Sequence, residues 1–125
     1  MPHPSEHHPA SRPLDARDAS EIADTMRALG TPGRLQLLFA LLPGEKSVED
    51  LAELAGLGQS ATSHHLRLLR SLRMVSARRE GRHAYYSLHN HHIVDLLAAV
   101  RHHQEHVHPP MPAEMPAPAR RKQAR

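Results

Sequence analysis

Residues 56–88, GLGQSATSHHLRLLRSLRMVSARREGRHAYYSL, carry the pattern that decides the fold. Gly56-Leu57-Gly58 reads as a tight turn, and the run after it reads as a helix over 60–72. Thr62, Leu66 and Leu69 recur on one side of that helix, which makes them its inward stripe. Ser60, Ser63, His64 and Arg67 then share the opposite side, with Gln59 at the helix start. These side chains are short or hydrogen-bonding, as a helix needs in order to approach base edges in the major groove of DNA. Residues 75–79, the turn Glu80-Gly81 and residues 83–88 read as a two-stranded hairpin. Arg78, Arg79 and Arg82, with His83, stand on that hairpin where phosphates or the minor groove would lie. Taken singly, exposed serines and a solvated arginine rim are ordinary surface features. Their order in the chain, a helix, a short turn, a second helix and an arginine-tipped hairpin, predicts a winged helix-turn-helix.

The segments before and after this stretch are read as helices too. Ile22, Met26 and Leu29 recur at helical spacing in a first helix that stops near Gly30. Thr31 and Pro32 read as N-cap and first-turn proline of a second helix, with Leu35, Leu38 and Leu42 on one side and Pro43-Gly44 as its stop. Ser47, followed by Glu49 and Asp50, predicts a short third helix with Val48, Leu51 and Leu54 as its apolar residues. Its cap oxygen and first-turn carboxylates satisfy and complement free amide groups. Asn90 reads as the cap of a fifth helix reaching about residue 106, with Ile93, Leu96, Leu97 and Val100 on its apolar side. The expected class is mainly α with a β-hairpin wing.

Composition sets the limits. A chain of 125 residues supports one domain with one modest core. Of its 11 prolines only Pro32 and Pro43 lie outside 1–17 and 109–125. The folded unit is therefore expected over 18–108, between a His/Pro-rich tail 1–17 and a Pro-rich basic tail 109–125, both expected to be disordered. The absence of cysteine excludes disulfides, thiolate metal sites and cysteine nucleophiles. No apolar run approaches the ~20 residues of a membrane span, and the N-terminus has no signal-peptide segment, so a soluble, cytoplasmic protein is expected. The net charge of +3 is unevenly spread, because Arg67, Arg70, Arg73, Arg78, Arg79 and Arg82 crowd into 67–82 against Glu80 alone. Such a stripe is either a solvated face or a surface for a polyanion, and Arg120, Arg121, Lys122 and Arg125 either add phosphate contacts or merely solubilise the tail. No serine or paired-carboxylate arrangement has a plausible nucleophile role, so no enzyme is expected.

Thirteen histidines cluster as His3, His7 and His8, as His64 and His65, as His83, and as seven between His89 and His108. At about 100° per residue His92, His103 and His106 share one face of the fifth helix. His92 and His103 are nevertheless about 16 Å apart along the axis, whereas ligands of one ion place their donors about 2 Å from it. A single chain cannot bring them together. Antiparallel pairing of the helix with its twin would set His92 of one subunit beside His103 and His106 of the other, with Ala98 and Ala99 allowing close approach. A homodimer with two equivalent intersubunit metal sites is expected. Asn90, His108 and His3 are further candidate ligands, while His89, His91 and His102 are read as solvated neighbours or outer supports. Three imidazoles and a weak fourth donor suit tetrahedral Zn(II); Ni(II) or Co(II) needs more donors, which His3 or His108 could supply.

Over 29–88, the runs LGTPGRLQLL, VEDLAELAGLGQSATSHHLRLLRSLRMV and REGRHAYYSL resemble the ArsR/SmtB family of winged-helix metalloregulatory repressors. Asn90-x-His92 followed by His103-x-x-His106 is similar to the pattern of its zinc-, nickel- and cobalt-binding subgroup, and the His-bearing N-terminus and His106-Val107-His108 resemble its nickel/cobalt sensors. The resemblance implies a repressor that binds operator DNA in the apo form, is released by Ni(II) or Co(II), and so derepresses metal-efflux or resistance genes. Two positions depart from the subgroup: Asn90 stands where it usually has an aspartate, and Pro2 where it has a glycine. A zinc-responsive repressor, a winged-helix repressor indifferent to metal, and a His-rich metal buffer or chaperone are the alternatives. Linkage would couple metal to DNA: a metal that favours the low-affinity form is itself bound less tightly on the operator.

Overall fold

The computed structural model describes residues 12–109. Helix α1 spans Ala16–Leu29, where the Asp15 side chain accepts a hydrogen bond from Asp18 N at 2.8 Å, and it ends at Gly30. The helix thus starts two residues before the expected boundary at 18. Of the expected stripe, Ile22 and Met26 are exposed and Leu29 is half-buried, so Ala28 is the residue that α1 buries.

Helix α2, Pro32–Ala40, opens as expected with Thr31 at the cap and proline in the first turn. Its inward residues are Leu37, Leu38 and Leu41 rather than Leu35, Leu38 and Leu42. In a leucine-rich helix both sets satisfy the helical period, and only the neighbours decide between them. The helix also stops before Pro43, because Leu41 N and Leu42 N bond the carbonyls of Leu38 and Phe39 and tighten the last turn.

Strand β1, Lys46–Ser47, is an element the sequence pattern does not predict. Ser47 serves twice, pairing with Tyr85 in the sheet and capping helix α3, Val48–Ala55, where its Oγ accepts from Asp50 N at 3.1 Å. Val48, Leu51 and Ala52 are buried, whereas Leu54, expected inward, is 60% exposed. Helix α4, Gln59–Ser71, lies across a turn whose Gly56 is left-handed at φ 67°. Its expected inner stripe of Thr62, Leu66 and Leu69 is fully buried.

The two helices of the turn end alike. Past α3, Gly56 N bonds Glu53 O and Leu57 N bonds Ala52 O; past α4, Arg73 N bonds Arg70 O and Met74 N bonds Leu69 O. Both are Schellman closures, which want a left-handed residue, usually glycine. The second places Arg73 there at φ 61°.

Strands β2 (Val75–Glu80) and β3 (His83–Leu88) pair antiparallel from Val75↔Leu88 to Glu80↔His83, leaving Gly81 and Arg82 as the loop. Gly81 takes φ 62°, as a two-residue hairpin turn requires. With β1 added, the sheet order is β1-β3-β2. Helix α5, His91–Val107, belongs to a second compact unit that begins at His91. Leu97 is buried, while Leu96, Val100 and Val107 are exposed. Among the described residues no helix is long and apolar enough to cross a membrane.

Candidate functional site

The candidate reading face of α4 is set by what its other face buries. Thr62 Oγ1 donates to Gly58 O at 2.9 Å, and Leu66 and Leu69 anchor the helix in the core. This leaves Gln59, Ser60, His64 and Arg67 exposed and Ser63 half-buried on the side the sequence assigned to DNA. Glu49, read from sequence only as a first-turn charge of α3, also reaches this surface. Its Oε2 accepts from Gln59 Nε2 at 3.2 Å, and its Oε1 lies 3.8 Å from His83 Nδ1. One carboxylate therefore stands between the start of α4 and the hairpin.

The hairpin arginines divide into two kinds. Arg79 and Arg82 are exposed at its tip. Arg78 differs, since its guanidinium binds Glu45 in a fork, Nε to Oε2 and Nη2 to Oε1, both at 2.9 Å, and reaches Glu80 Oε1 at 2.6 Å. Its Cζ also lies 4.8 Å from the centroid of the Tyr85 ring. The hydrogen bond from Arg78 holds the Glu45 carboxyl below its ordinary range, and the two carboxylates raise the arginine in turn. Arg78, expected to touch DNA, thus also donates three hydrogen bonds inside the chain, tying β2 to the segment that leads into β1. Sequence reasoning missed this because Glu45 lies 33 positions away.

Behind the reading face, Arg34 of α2 donates from Nε to His65 Nδ1 at 3.3 Å and from Nη1 to Ala28 O at 2.6 Å. A ring that accepts at Nδ1 is neutral. Burial, the Arg34 charge and the neighbouring His64 hold the His65 pKa below the ordinary histidine value. Three helices meet in this contact. The two adjacent histidines differ in their surroundings: His64 is exposed and His65 is wedged against α2.

On α5, His91, His92, His102, His103 and His106 are all exposed, as is His108 just past its end; His108 N bonds Gln104 O at 2.8 Å. Asn90 immediately precedes the helix and is exposed. Among the described residues no three His, Cys, Asp or Glu side chains of one protomer converge to hold a metal ion. The helix runs unbroken from His91 to Val107, so His92 and His103 stay 11 positions apart along it. His102, which the sequence marks only as a neighbour, is the residue whose ring meets that of His106, with centroids 5.3 Å apart. His3 and the basic tail 120–125 lie outside the described residues.

Residues 31–77 match the family described as bacterial regulatory protein, arsR family. The chain is similar to the HTH-type transcriptional regulator NmtR of Mycobacterium tuberculosis, 47% identical over 98 residues that make up 78% of this chain and 82% of the relative. Among solved structures it is similar to apo-NmtR in solution, at TM-score 0.65 and 42% identity, over 89% of this chain and 93% of that one. It is also similar to a homodimeric winged helix-turn-helix DNA-binding domain from Mycobacterium bovis, described as a possible ArsR-family transcriptional regulator, at TM-score 0.65 and 33% identity, over 78% and 97% of the two chains. These relatives are regulators of transcription, not enzymes.

Proposed function

Because the chain belongs to the ArsR family of bacterial transcriptional regulators, whose metal-responsive repressors it resembles, we propose that it is a homodimeric repressor released from operator DNA by Ni(II) or Co(II). The observation that carries the reading is the combination of an exposed polar face on α4 with an α5 whose histidines form no three-residue cluster within one protomer among the described residues. The first binds without help; the second calls for another copy. In the dimer, Gln59, Ser60, Ser63, His64 and Arg67 face the major groove, and Arg79 and Arg82 face the flanking backbone. Two such helices about one helical turn of DNA apart would match a palindromic operator.

The donor set on α5 fits a borderline divalent ion, being all imidazole among the described residues with no thiolate in the chain. His103 and His106 of one protomer, with His92 of the partner subunit, would hold it, and Asn90, His108 and His3 are the candidate additional ligands. Such an ion, bound, cross-links the two copies of α5. The exposed Leu96 and Val100 on the same helix support pairing with a twin.

Zn(II) is the second reading, favoured by a set of three imidazoles with one weak donor. Fluorescence anisotropy on DNA from upstream of the protein's own gene separates the readings. Metal should release the wild-type protein but not the His92→Ala, His103→Ala variant, and the ranking of nickel, cobalt and zinc names the effector. Release of both proteins, or of neither, refutes the intersubunit sensor. The first outcome places the responsive site elsewhere; the second leaves a repressor that ignores these metals.

A further inference from the structure

We propose that α5 carries a second, one-protomer metal site, a two-imidazole chelate formed by His102 and His106, open to a divalent transition-metal ion such as zinc, nickel or copper. The site needs neither a twin helix nor His92 and His103, and it stands whether or not metal releases the protein from DNA.

Helix geometry supplies the first argument. Residues four apart in a helix lie one above the other on the same face, so two histidines at that spacing can point their rings at one ion. In this chain the two rings lie side by side, with centroids 5.3 Å apart and planes inclined by 51°. With a metal to nitrogen distance of about 2.1 Å and about 1.1 Å more to the ring centre, two imidazoles on a tetrahedral ion have centres about 5.2 Å apart. The observed centroid separation therefore matches the ligated one.

The surroundings supply the second argument. Both rings are exposed, so an ion held by two nitrogens can keep water in its other positions. Arg101, the cation nearest in sequence, has its Nε 3.4 Å from Glu105 Oε2, which offsets its charge within the same turns. His103 stands 100° around the helix from His102, with His106 between them on the helical wheel. His106 can thus serve either neighbour but not both at ligand distance in this arrangement, in line with the absence of any three-residue cluster among the described residues. The chelate and the intersubunit set consequently compete for His106, and metal taken up by one protomer is already bound by a residue that the dimer site would use.

The test uses the full chain carrying His92→Ala and His103→Ala, with Zn(II) as the probe and imidazole nitrogen resonances as the readout, in the absence of DNA. The rings of His102 and His106 should shift together as zinc is added. Adding His102→Ala should raise the zinc concentration at half-shift of His106 by roughly tenfold or more, because the second donor no longer binds intramolecularly. Every substituted residue is exposed, and circular dichroism checks that the helix is kept. Three results would overturn the proposal: no shift of either ring, a His106 shift without a His102 shift, or a His106 shift indifferent to His102→Ala. None of them tests operator release, which under the proposed function also needs His92 and His103, both replaced in this variant.

Discussion

α4 and α5 both present one apolar and one function-bearing side, yet they differ in how much of that is completed within the chain. On α4 the apolar side is fully buried, the start leans on Gly58 O through Thr62, and the end is closed by a Schellman turn. On α5 Leu96 and Val100 are 37% and 47% exposed, and its histidines form no three-residue cluster within one protomer among the described residues. A helix that reads DNA has to be rigid before its partner arrives, so its packing is internal. Under the proposed function, α5 is better left incomplete, since completion is then what the ion and the twin would contribute.

The largest test of this contrast is a matched truncation. Leu66→Ala, deep behind the reading face, should cost about 2–5 kcal/mol in urea unfolding, because it removes buried methyl groups and leaves a cavity. Val100→Ala on α5 should stay within about 0.5 kcal/mol of wild type for folding of the protomer. Its effect should appear instead as a raised dimer dissociation constant in sedimentation, with protein concentration held equal throughout. A large protomer destabilisation by Val100→Ala would erase the contrast.

Much of α4 was legible because its signals are local. Thr62, Leu66 and Leu69 at i, i+4 and i+7 admit one inward face, and the glycine pair before them marks the start of the helix. The hairpin was legible for the same reason, its turn residue Gly81 standing between two runs rich in strand formers. Where the sequence offered two overlapping stripes, as in the leucines of α2, the period could not choose between them. Contacts spanning many positions left no sequence signal. The Arg78–Glu45 fork joins residues 33 apart and the Arg34–His65 bond residues 31 apart. Strand β1, two residues long, is too short for any alternation to show. On α5 the spacing of His92, His103 and His106 was readable, but the face these three share drew the reading away from the ring pair His102–His106.

The next test sharpens the division among the wing arginines. If Arg79 neutralises a phosphate, Arg79→Ala should weaken operator binding and lower the salt dependence of the affinity by about one counterion. Arg78 already satisfies two carboxylates, so Arg78→Ala should weaken binding by about tenfold through a loosened wing, with the salt slope of the wild type. Glu45→Gln should reproduce the Arg78→Ala loss, and Arg78→Lys should not restore the fork, since an ammonium cannot match both carboxylate oxygens. A reduced slope for Arg78→Ala, with Glu45→Gln harmless, would return Arg78 to the DNA contacts.

The smallest expected effect concerns how α4 is held from behind. His65 has its pKa lowered, chiefly by burial and then by the Arg34 and His64 charges, so the folded protein resists protonating it. The unfolded chain, with an ordinary histidine near pH 6.5, takes up that proton first as the solution is acidified. Stability from this group is therefore complete above about pH 6.5, declines as the pH falls from there toward the lowered folded value, and levels off below it. His65→Gln keeps a hydrogen-bonding side chain but cannot titrate, so its unfolding profile between about pH 8 and pH 5 should lack this part of the decline. The exposed histidines of α5 remain in both proteins and cancel in the difference. A difference profile that is flat across the window would mean that neither burial nor the neighbouring charges hold His65 neutral in the folded protein.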